Sequence, residues 1–225
     1  MKLLAIDSFS PVLSAALSNN DEIHFTQADT GMKHSELAVS LIDNLCKEAD
    51  IKPADIEGVL CMEGPGSFTG LRIGYSIAKG LALSLSIPFA AIPTFDCIAH
   101  GINDSGIVLI VTDARKNAWF YAFFCGGKRL SDDGDGLYPQ IVNELNNFKE
   151  KADEKIILAG PGALSFLEAA GHEQKDFFVL KDERNGYAKE LILTACQKEI
   201  FKGDTSDYLI SGPRYLRKSD AELNL

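Results

Sequence analysis

Short apolar runs alternate with polar turn residues through the first hundred residues. Three such runs open the chain and are separated by turn residues at 8–10 and 19–21, a pattern typical of antiparallel strands. Apolar residues then recur three and four positions apart over residues 34–49 and 69–85, which predicts two helices. The predicted strands cover residues 2–7, 11–17, 22–27, 57–62 and 89–92. The first half therefore has the order βββαβα.

The second half repeats this order in reduced form. Leu3–Asp7 matches Leu109–Asp113, and Gly64-Pro65-Gly66 matches Gly160-Pro161-Gly162, each glycine pair following a predicted strand. Two landmarks at similar separation indicate a duplication. The predicted strands of this half cover residues 107–113, 118–124 and 155–159, and its predicted helices cover residues 140–148, 163–170 and 188–201.

The order βββαβα is that of the ribonuclease-H-like halves of actin-like ATPases. We therefore predict an α/β fold with two such halves, the second reduced, divided into residues 1–103 and 104–225. Gly126-Gly127 predicts a hairpin. The acidic run 131–136 lacks the ligand spacing of a calcium loop and predicts a solvated turn. An extended tail over residues 208–217 is able to pack back on the first half.

The composition is that of a globular protein without a membrane span. Of the 225 residues 46% are hydrophobic, and no run reaches the roughly 18 apolar residues that cross a bilayer. The five cysteines form no C-x-x-C pair, so neither a disulfide framework nor a zinc site is indicated. The formal net charge of −10 opposes unaided binding of RNA or DNA. We therefore expect a cytoplasmic protein that meets nucleic acid only through a partner.

The run from Gly64 to Gly74, GPGSFTGLRIG, is rich in residues that fix unusual backbone positions. It opens a predicted helix, whose first N–H groups can hold an anion. It lacks the G-K-[ST] ending of a P-loop and the G-x-S-x-G spacing of a nucleophile elbow. Ser67 has no evident base, and the sequence around His34 matches no zinc motif. The motif residues are Gly64, Pro65, Gly66, Ser67, Thr69 and Arg72.

Each half ends its first predicted strand in an acid, as actin-like ATPases do. A phosphate cradle also needs glycine in the turn that follows, so that backbone N–H groups can approach the phosphate. The turns after Asp7 and Asp113 contain no glycine, and Phe9 adds bulk beside Ser8. Asp7 is then either a metal or phosphate contact or a strand-end acid that caps its own turn, and the missing glycines favour the cap. Asp7, Ser8 and Asp113 are therefore predicted to belong to degenerate nucleotide loops.

The two N-terminal helices carry patterns typical of close packing. Small residues recur every fourth position from Gly70 to Ala82, beside an apolar ridge from Ile73 to Leu85. Such a row either packs on the chain's own sheet or brings a partner helix close, and the apolar circumference of the second helix favours a partner surface. The predicted interface residues are Leu37, Leu41, Leu45, Gly70, Ile73, Gly74, Ile77, Ala78 and Leu81.

Several motifs together resemble the bacterial TsaB (YeaZ) proteins. They are the Gly64–Gly74 run, residues 1–17 with Asp7-Ser8, the helix start Lys33-His34-Ser35-Glu36, Asp113-Ala114-Arg115-Lys116 and the tail Pro213-Arg214-Tyr215-Leu216-Arg217. These motifs extend over nearly the whole chain, and an eleven-residue run is far more specific than a lone G-x-G. The chain departs from the usual family pattern at Phe9, where small hydroxyl residues are common.

The resemblance implies a role in making threonylcarbamoyladenosine beside the anticodon of tRNAs that read ANN codons. In that family the chain is a non-catalytic scaffold that binds its paralogue TsaD, the transferase with the metal and the active site, and the ATPase TsaE. The resemblance thus implies no intrinsic cofactor, with ATP and metal on partner subunits and tRNA contacted only indirectly. Family members pair through the two N-terminal helices and form homodimers through the same surface.

A second hypothesis is an enzyme in its own right, either an actin-like ATPase or phosphotransferase or an M22-like peptidase. A glycine-bearing turn after Asp7 or Asp113, or two histidines at metal-ligand spacing, would favour it, and the sequence has neither. A purely structural homodimer is a third hypothesis, which differs from the first in having no paralogous partner.

Overall fold

The computed structural model describes residues 1–20, 22–29, 31, 33–102, 104–148, 155–171, 175–181, 186–202 and 210–217. Its strands are β1 (Leu3–Asp7), β2 (Val12–Asn19), β3 (Glu22–Asp29), β4 (Gly58–Gly64), β5 (Phe89–Pro93), β6 (Ile107–Asp113), β7 (Ala118–Cys125), β8 (Lys128–Arg129), β9 (Gly134–Leu137), β10 (Ile156–Ala159) and β11 (Phe178–Leu180). The helices in the described ranges are α1 (His34–Glu48), α2 (Phe68–Leu85), α3 (Thr94–His100), α4 (Tyr138–Leu145), α5 (Ala163–Ala169) and α6 (Ala188–Gln197).

The chain divides into two compact units. Unit 1 holds Met1–Cys97 and Gly186–Tyr215, and unit 2 holds Ile98–Asn185 and Leu216–Leu225. The predicted boundary lies between residues 103 and 104, whereas the first part of unit 1 ends at Cys97. Residues 186–215, which were predicted to belong to the second half, also join unit 1. The reason is α6, which packs against β1, β2 and β4 of the first sheet.

Unit 1 is a five-stranded sheet in the order β3-β2-β1-β4-β5. The first three strands are antiparallel, whereas β4 and β5 continue parallel to β1. Apolar side chains of α1 and α2 close one face of this sheet. Leu45 of α1, Tyr75 of α2 and Phe89 of β5 are among the buried residues. The predicted strands and both predicted helices of this half are confirmed, and α3 is an addition that the sequence patterns did not predict.

Unit 2 repeats the arrangement of the first sheet. Its order is β11-β10-β6-β7-β8, in which β7 is antiparallel and β10 parallel to the first strand of the unit, β6. In unit 1, β2 and β4 stand in the same relation to β1. Both units therefore carry the ribonuclease-H-like plan, and the predicted α/β fold class is confirmed.

Local predictions in unit 2 had mixed outcomes. Gly126 and Gly127, with φ of 55° and 72°, join β7 to β8 as the predicted hairpin. The predicted solvated turn over residues 131–136 is wrong at its end, because Gly134–Leu137 pairs with β7 as strand β9. Glycine and aspartate are weak strand formers, so this strand depends on its partner strand rather than on its own composition. The strand Phe178–Leu180 was not predicted either.

The last helix is shorter than predicted, and the predicted tail is described only in part. The helix predicted over residues 188–201 ends at Gln197, and a separate 3₁₀ turn follows over Ile200–Lys202. Of the tail predicted over residues 208–217, the first two lie outside the described residues. The part from residue 210 to Tyr215 belongs to unit 1.

Candidate functional site

Asp7, at the end of β1, is fully buried and bonded to its own chain. Its Oδ1 accepts a hydrogen bond from the Phe9 N–H at 3.2 Å, and its Oδ2 accepts from the Tyr187 N–H at 2.8 Å and from the Ser14 hydroxyl at 3.1 Å. Burial raises the pKa of Asp7 from 3.8 to about 7, although the three hydrogen bonds act in the opposite direction. Asp7 therefore caps its own turn, and it also caps the start of α6.

The start of α6 packs against the residues around Asp7. Gly186 lies so close to β2 that a Cβ there would come within 2.6 Å of the Ser14 Cβ. The Ala188 N–H donates to the Ser14 hydroxyl at 3.2 Å, and the buried ring of Tyr187 lies 5.9 Å from that of Phe9. Sequence reasoning missed this contact, because 180 residues separate its partners and no motif marks it.

The glycines of the Gly64–Gly74 run let α2 approach the turn after β1. A Cβ on Gly66 would come within 2.8 Å of the Phe9 Cβ, and one on Gly74 within 2.6 Å of the Ser8 hydroxyl oxygen. A Cβ on Gly70 would overlap the Ser8 carbonyl oxygen. The Ser8 hydroxyl also donates to the Gly70 carbonyl at 2.8 Å. These glycines therefore serve internal packing on a loop of the same unit.

The remaining motif residues have structural partners as well. Ser67 is the N-cap of α2, and its hydroxyl accepts from the Gly70 N–H at 3.2 Å. Gly64 has φ of 120° and lies against the Arg214 carbonyl, where a side chain would collide. Buried His34 places its Nε2 2.9 Å from the Ser10 carbonyl oxygen and thereby fastens α1 to the same turn. Pro65 is buried between two of these glycines, and Thr69 is exposed on the first turn of α2.

An open groove of about 370 Å³ lies between α1 and α2 on the outer side of unit 1. Val39 is 68% exposed at its edge, which is unusual for a large aliphatic side chain. Sequence reasoning missed Val39 because it falls outside the apolar spacing of its helix. The groove is lined by Ser35, Val39, Phe68, Thr69, Arg72, Ile73, Ser76 and Ile77.

The predicted interface residues divide into two groups. Leu37 is exposed, and Leu41, Ile73, Ile77 and Leu81 are partly buried, so they stay available as a predicted surface. The rest of the prediction needs correction, because Gly70 and Gly74 pack against Ser8, and Leu45 of α1 and Ala78 of α2 lie in the core. The buried members are Leu45, Gly70, Gly74 and Ala78.

Arg72 lies at the groove edge and contacts two aromatic rings. Its Cζ is 3.8 Å from the centroid of the Phe68 ring, and its Nε donates to the Tyr215 hydroxyl at 3.0 Å. The Phe68 and Tyr215 rings lie 4.5 Å apart between centroids. The predicted motif residue Arg72 is thus joined to the C-terminal tail.

The corresponding acid of unit 2 has a different environment. Asp113 is exposed, and its Oδ1 accepts from the Arg115 N–H at 2.7 Å. Gly162 packs on Thr112 just before it, which repeats the packing of Gly66 on the turn of unit 1. Within the described ranges no three His, Cys, Asp or Glu side chains gather as a metal site. Nor is any helix there long and apolar enough to cross a membrane.

Comparisons with known proteins agree on one family. The family model described as TsaD, tRNA N6-adenosine threonylcarbamoyltransferase, matches residues 21–178. The tRNA threonylcarbamoyladenosine biosynthesis protein TsaB of Escherichia coli (strain K12) is 31% identical over 230 residues, which cover 98% of this chain and 96% of that protein. TsaB of Bacillus subtilis (strain 168) is 28% identical over 241 residues, which cover 99% and 96%.

A solved structure has the same fold. YeaZ from Pseudomonas aeruginosa superposes with a TM-score of 0.75 at 20% identity, covering 96% of this chain and 99% of that one. The family model covers more than half of the chain, and the Escherichia coli relative is matched over almost its whole length. The chain therefore belongs to the TsaB (YeaZ) family of tRNA threonylcarbamoyladenosine biosynthesis proteins.

Proposed function

We propose that this chain is a non-catalytic subunit for threonylcarbamoyl transfer to the adenosine beside the anticodon of tRNAs that read ANN codons. It binds and activates a TsaD-type transferase together with a TsaE-type ATPase, and it forms homodimers through the same surface. Two relatives are named for the biosynthesis of this modified nucleoside, which supports the pathway.

The environment of Asp7 carries the non-catalytic part of the proposal. An actin-like ATPase needs an acid at this strand end that can reach a metal or a phosphate. Here Tyr187, Ser14 and Phe9 already hold the carboxylate, and Gly186 packs against Ser14. Because Asp7 is fully buried, a ligand that bound it would have to displace at least one of these partners. This arrangement supports a subunit that leaves the chemistry to its partner.

The groove between α1 and α2 supports the partner surface. Val39 and Leu37 are 68% and 40% exposed on α1, and Ile73 and Ile77 are half-buried beside them on α2. Apolar side chains gathered on one face and bordered by polar groups are typical of protein–protein surfaces. We assign this face, with the inward-facing glycines excluded, to the TsaD-type transferase.

Reconstitution with one substitution tests both parts. The chain is mixed with the TsaD-type and TsaE-type proteins of the same organism, and tRNA modification is measured with each component omitted. Val39→Asp places a charge among the apolar side chains of the groove and is expected to weaken transferase binding at least about tenfold, with a matching loss of modification. Leu164→Asp on α5, at a residue 63% exposed, is the matched control and keeps full activity.

Two results would contradict the proposal. The first is ATP turnover or tRNA modification by the purified chain alone that disappears in Asp7→Ala, since this would make the chain an enzyme. The second is full transferase affinity in a folded Val39→Asp variant, since the partner would then bind elsewhere.

A further inference from the structure

The C-terminal segment from residue 210 to Tyr215 is fastened along one side of α2. The Lys79 ammonium donates to the Ser211 carbonyl, and the Arg214 N–H donates to the Glu63 carbonyl at 2.8 Å. Tyr215 then reaches α2 near its start. Three contacts thus fix the segment, and they span the end of β4 and more than two turns of α2.

The last of these contacts fixes a side chain that would otherwise be mobile. An exposed arginine samples many rotamers, and ordering it on binding lowers affinity. Here the Arg72 guanidinium lies over the Phe68 ring, with its Cζ 3.8 Å from the ring centroid. The Tyr215 hydroxyl accepts a hydrogen bond from the Arg72 Nε. We call Phe68, Arg72 and Tyr215 the aromatic clamp.

The aromatic clamp lies at the edge of the α1/α2 groove. Phe68 and Arg72 both line the groove, beside Val39 and Ile73. Arg72 is the charged side chain among the eight described residues of the lining. Arg72 has further N–H donors on its two terminal nitrogens, which make no hydrogen bond among the described residues. A planar guanidinium pairs most strongly with a carboxylate that accepts two parallel hydrogen bonds.

We propose that Tyr215 is a positioning residue of the partner surface, which holds Arg72 ready to pair with a carboxylate of the transferase. The inference rests on the proposed function, because it assigns the groove to that partner. The C-terminal tail then contributes to affinity without being part of the groove lining. Tyr215 lowers the loss of rotamer freedom that Arg72 would otherwise undergo on binding.

A double-mutant cycle tests this role. Dissociation constants for the TsaD-type transferase are measured with the wild-type chain, Tyr215→Ala, Arg72→Ala and the double variant. We expect Tyr215→Ala to weaken binding roughly three- to tenfold, and Arg72→Ala by at least as much. The double variant is expected to be no weaker than Arg72→Ala, because Tyr215 acts through Arg72. Tyr215→Phe, which keeps the ring, gives an intermediate loss.

The control is Phe25→Ala on β3. Phe25 is 39% exposed and Tyr215 37%, so both variants remove a similarly exposed aromatic ring from unit 1. Phe25→Ala is expected to bind as wild type does, and thermal unfolding shows that each variant is folded.

The outcomes separate the inference from the proposed function. If the effects of Tyr215→Ala and Arg72→Ala add, or if Arg72→Ala binds normally, the positioning role is overturned while the partner assignment stands. If the wild-type chain does not bind the transferase at all, the proposed function fails and this inference fails with it.

Discussion

At the scale of single residues, the turn after β1 is the point where unit 1 is joined together. Its four residues, 7–10, contact three helices: Asp7 the start of α6, Ser8 the glycines of α2, and Ser10 the buried His34 of α1. Asp7, Ser8 and Ser10 are buried and hydrogen-bonded within unit 1, so a substitution in the turn acts first on stability.

Asp7 is expected to make stability depend on pH. Its pKa is about 7 in the folded chain and 3.8 as the ordinary value, so the folded state binds more protons between these values. The free energy of unfolding of the wild type should therefore fall, relative to Asp7→Asn, as pH rises from about 4 to about 7, by an amount on the order of 3 kcal/mol. Denaturant unfolding at several pH values measures this difference.

The control for this measurement is Asp113→Asn, which removes the exposed acid at the corresponding strand end of unit 2. Any pH dependence shared by both variants is subtracted. A difference between wild type and Asp7→Asn that stays constant over this range would contradict the burial argument.

At the scale of elements, α2 shows why part of the interface prediction had to be corrected. Its ends were predictable from sequence, since Ser67 caps the start and the apolar periodicity ends at Leu85. Its orientation was not, because α2 is apolar around much of its circumference, so the side that faces the sheet could not be identified. The glycine row looked like a partner surface, but it faces Ser8.

Two glycines of α2 give opposite expectations. Gly70→Ala should lower the free energy of unfolding by about 1–3 kcal/mol, because its Cβ would overlap the Ser8 carbonyl oxygen, which no rotamer change can move. Gly80→Ala on the exposed side, with no atom within 4 Å of its Cβ, should raise it by about 0.5–1 kcal/mol. Chemical denaturation of both variants measures these changes in the free energy of unfolding. Equal changes for the two substitutions would mean that Gly70 lies outside the core.

Most elements of the fold followed from apolar periodicity and turn residues, whereas long-range contacts did not. The strands ending at Asp7 and Asp113 were predicted to the residue at their C-terminal ends. Strand β9 was missed because its residues are poor strand formers that pair with an aromatic neighbour strand. The cap between Tyr187 and Asp7 has no sequence signature, since a main-chain N–H is common to almost every residue.

At the scale of the whole molecule, charge limits what the chain can bind alone. A net charge of −10 repels a polyanion. At physiological ionic strength, salt screens this repulsion at separations beyond about 8 Å. Contact with tRNA must then depend on local cations or on a partner. This agrees with the proposed subunit, to whose partner surface we assign an apolar groove.

Filter binding with unmodified tRNA tests the charge argument. The isolated chain is expected to bind weakly at low salt and without detectable affinity at about 150 mM salt, since counterion release favours only basic surfaces. The TsaD-type transferase alone and its complex with the chain are measured in parallel. Tight, salt-resistant binding by the isolated chain would refute the expectation.

The discontinuity of unit 1 also bears on how the protein is made. Residues 1–97 leave the ribosome first, but the N–H group that caps Asp7 belongs to a residue 180 positions later. Until α6 has emerged, one face of the nascent sheet and the Asp7 carboxyl group lack the helix that packs against them in the folded protein. The strands of unit 2 lie between these two parts of the sequence, so they are made before α6. The sheet that contains β1 is thus covered on its second face only after the strands of both units have been made.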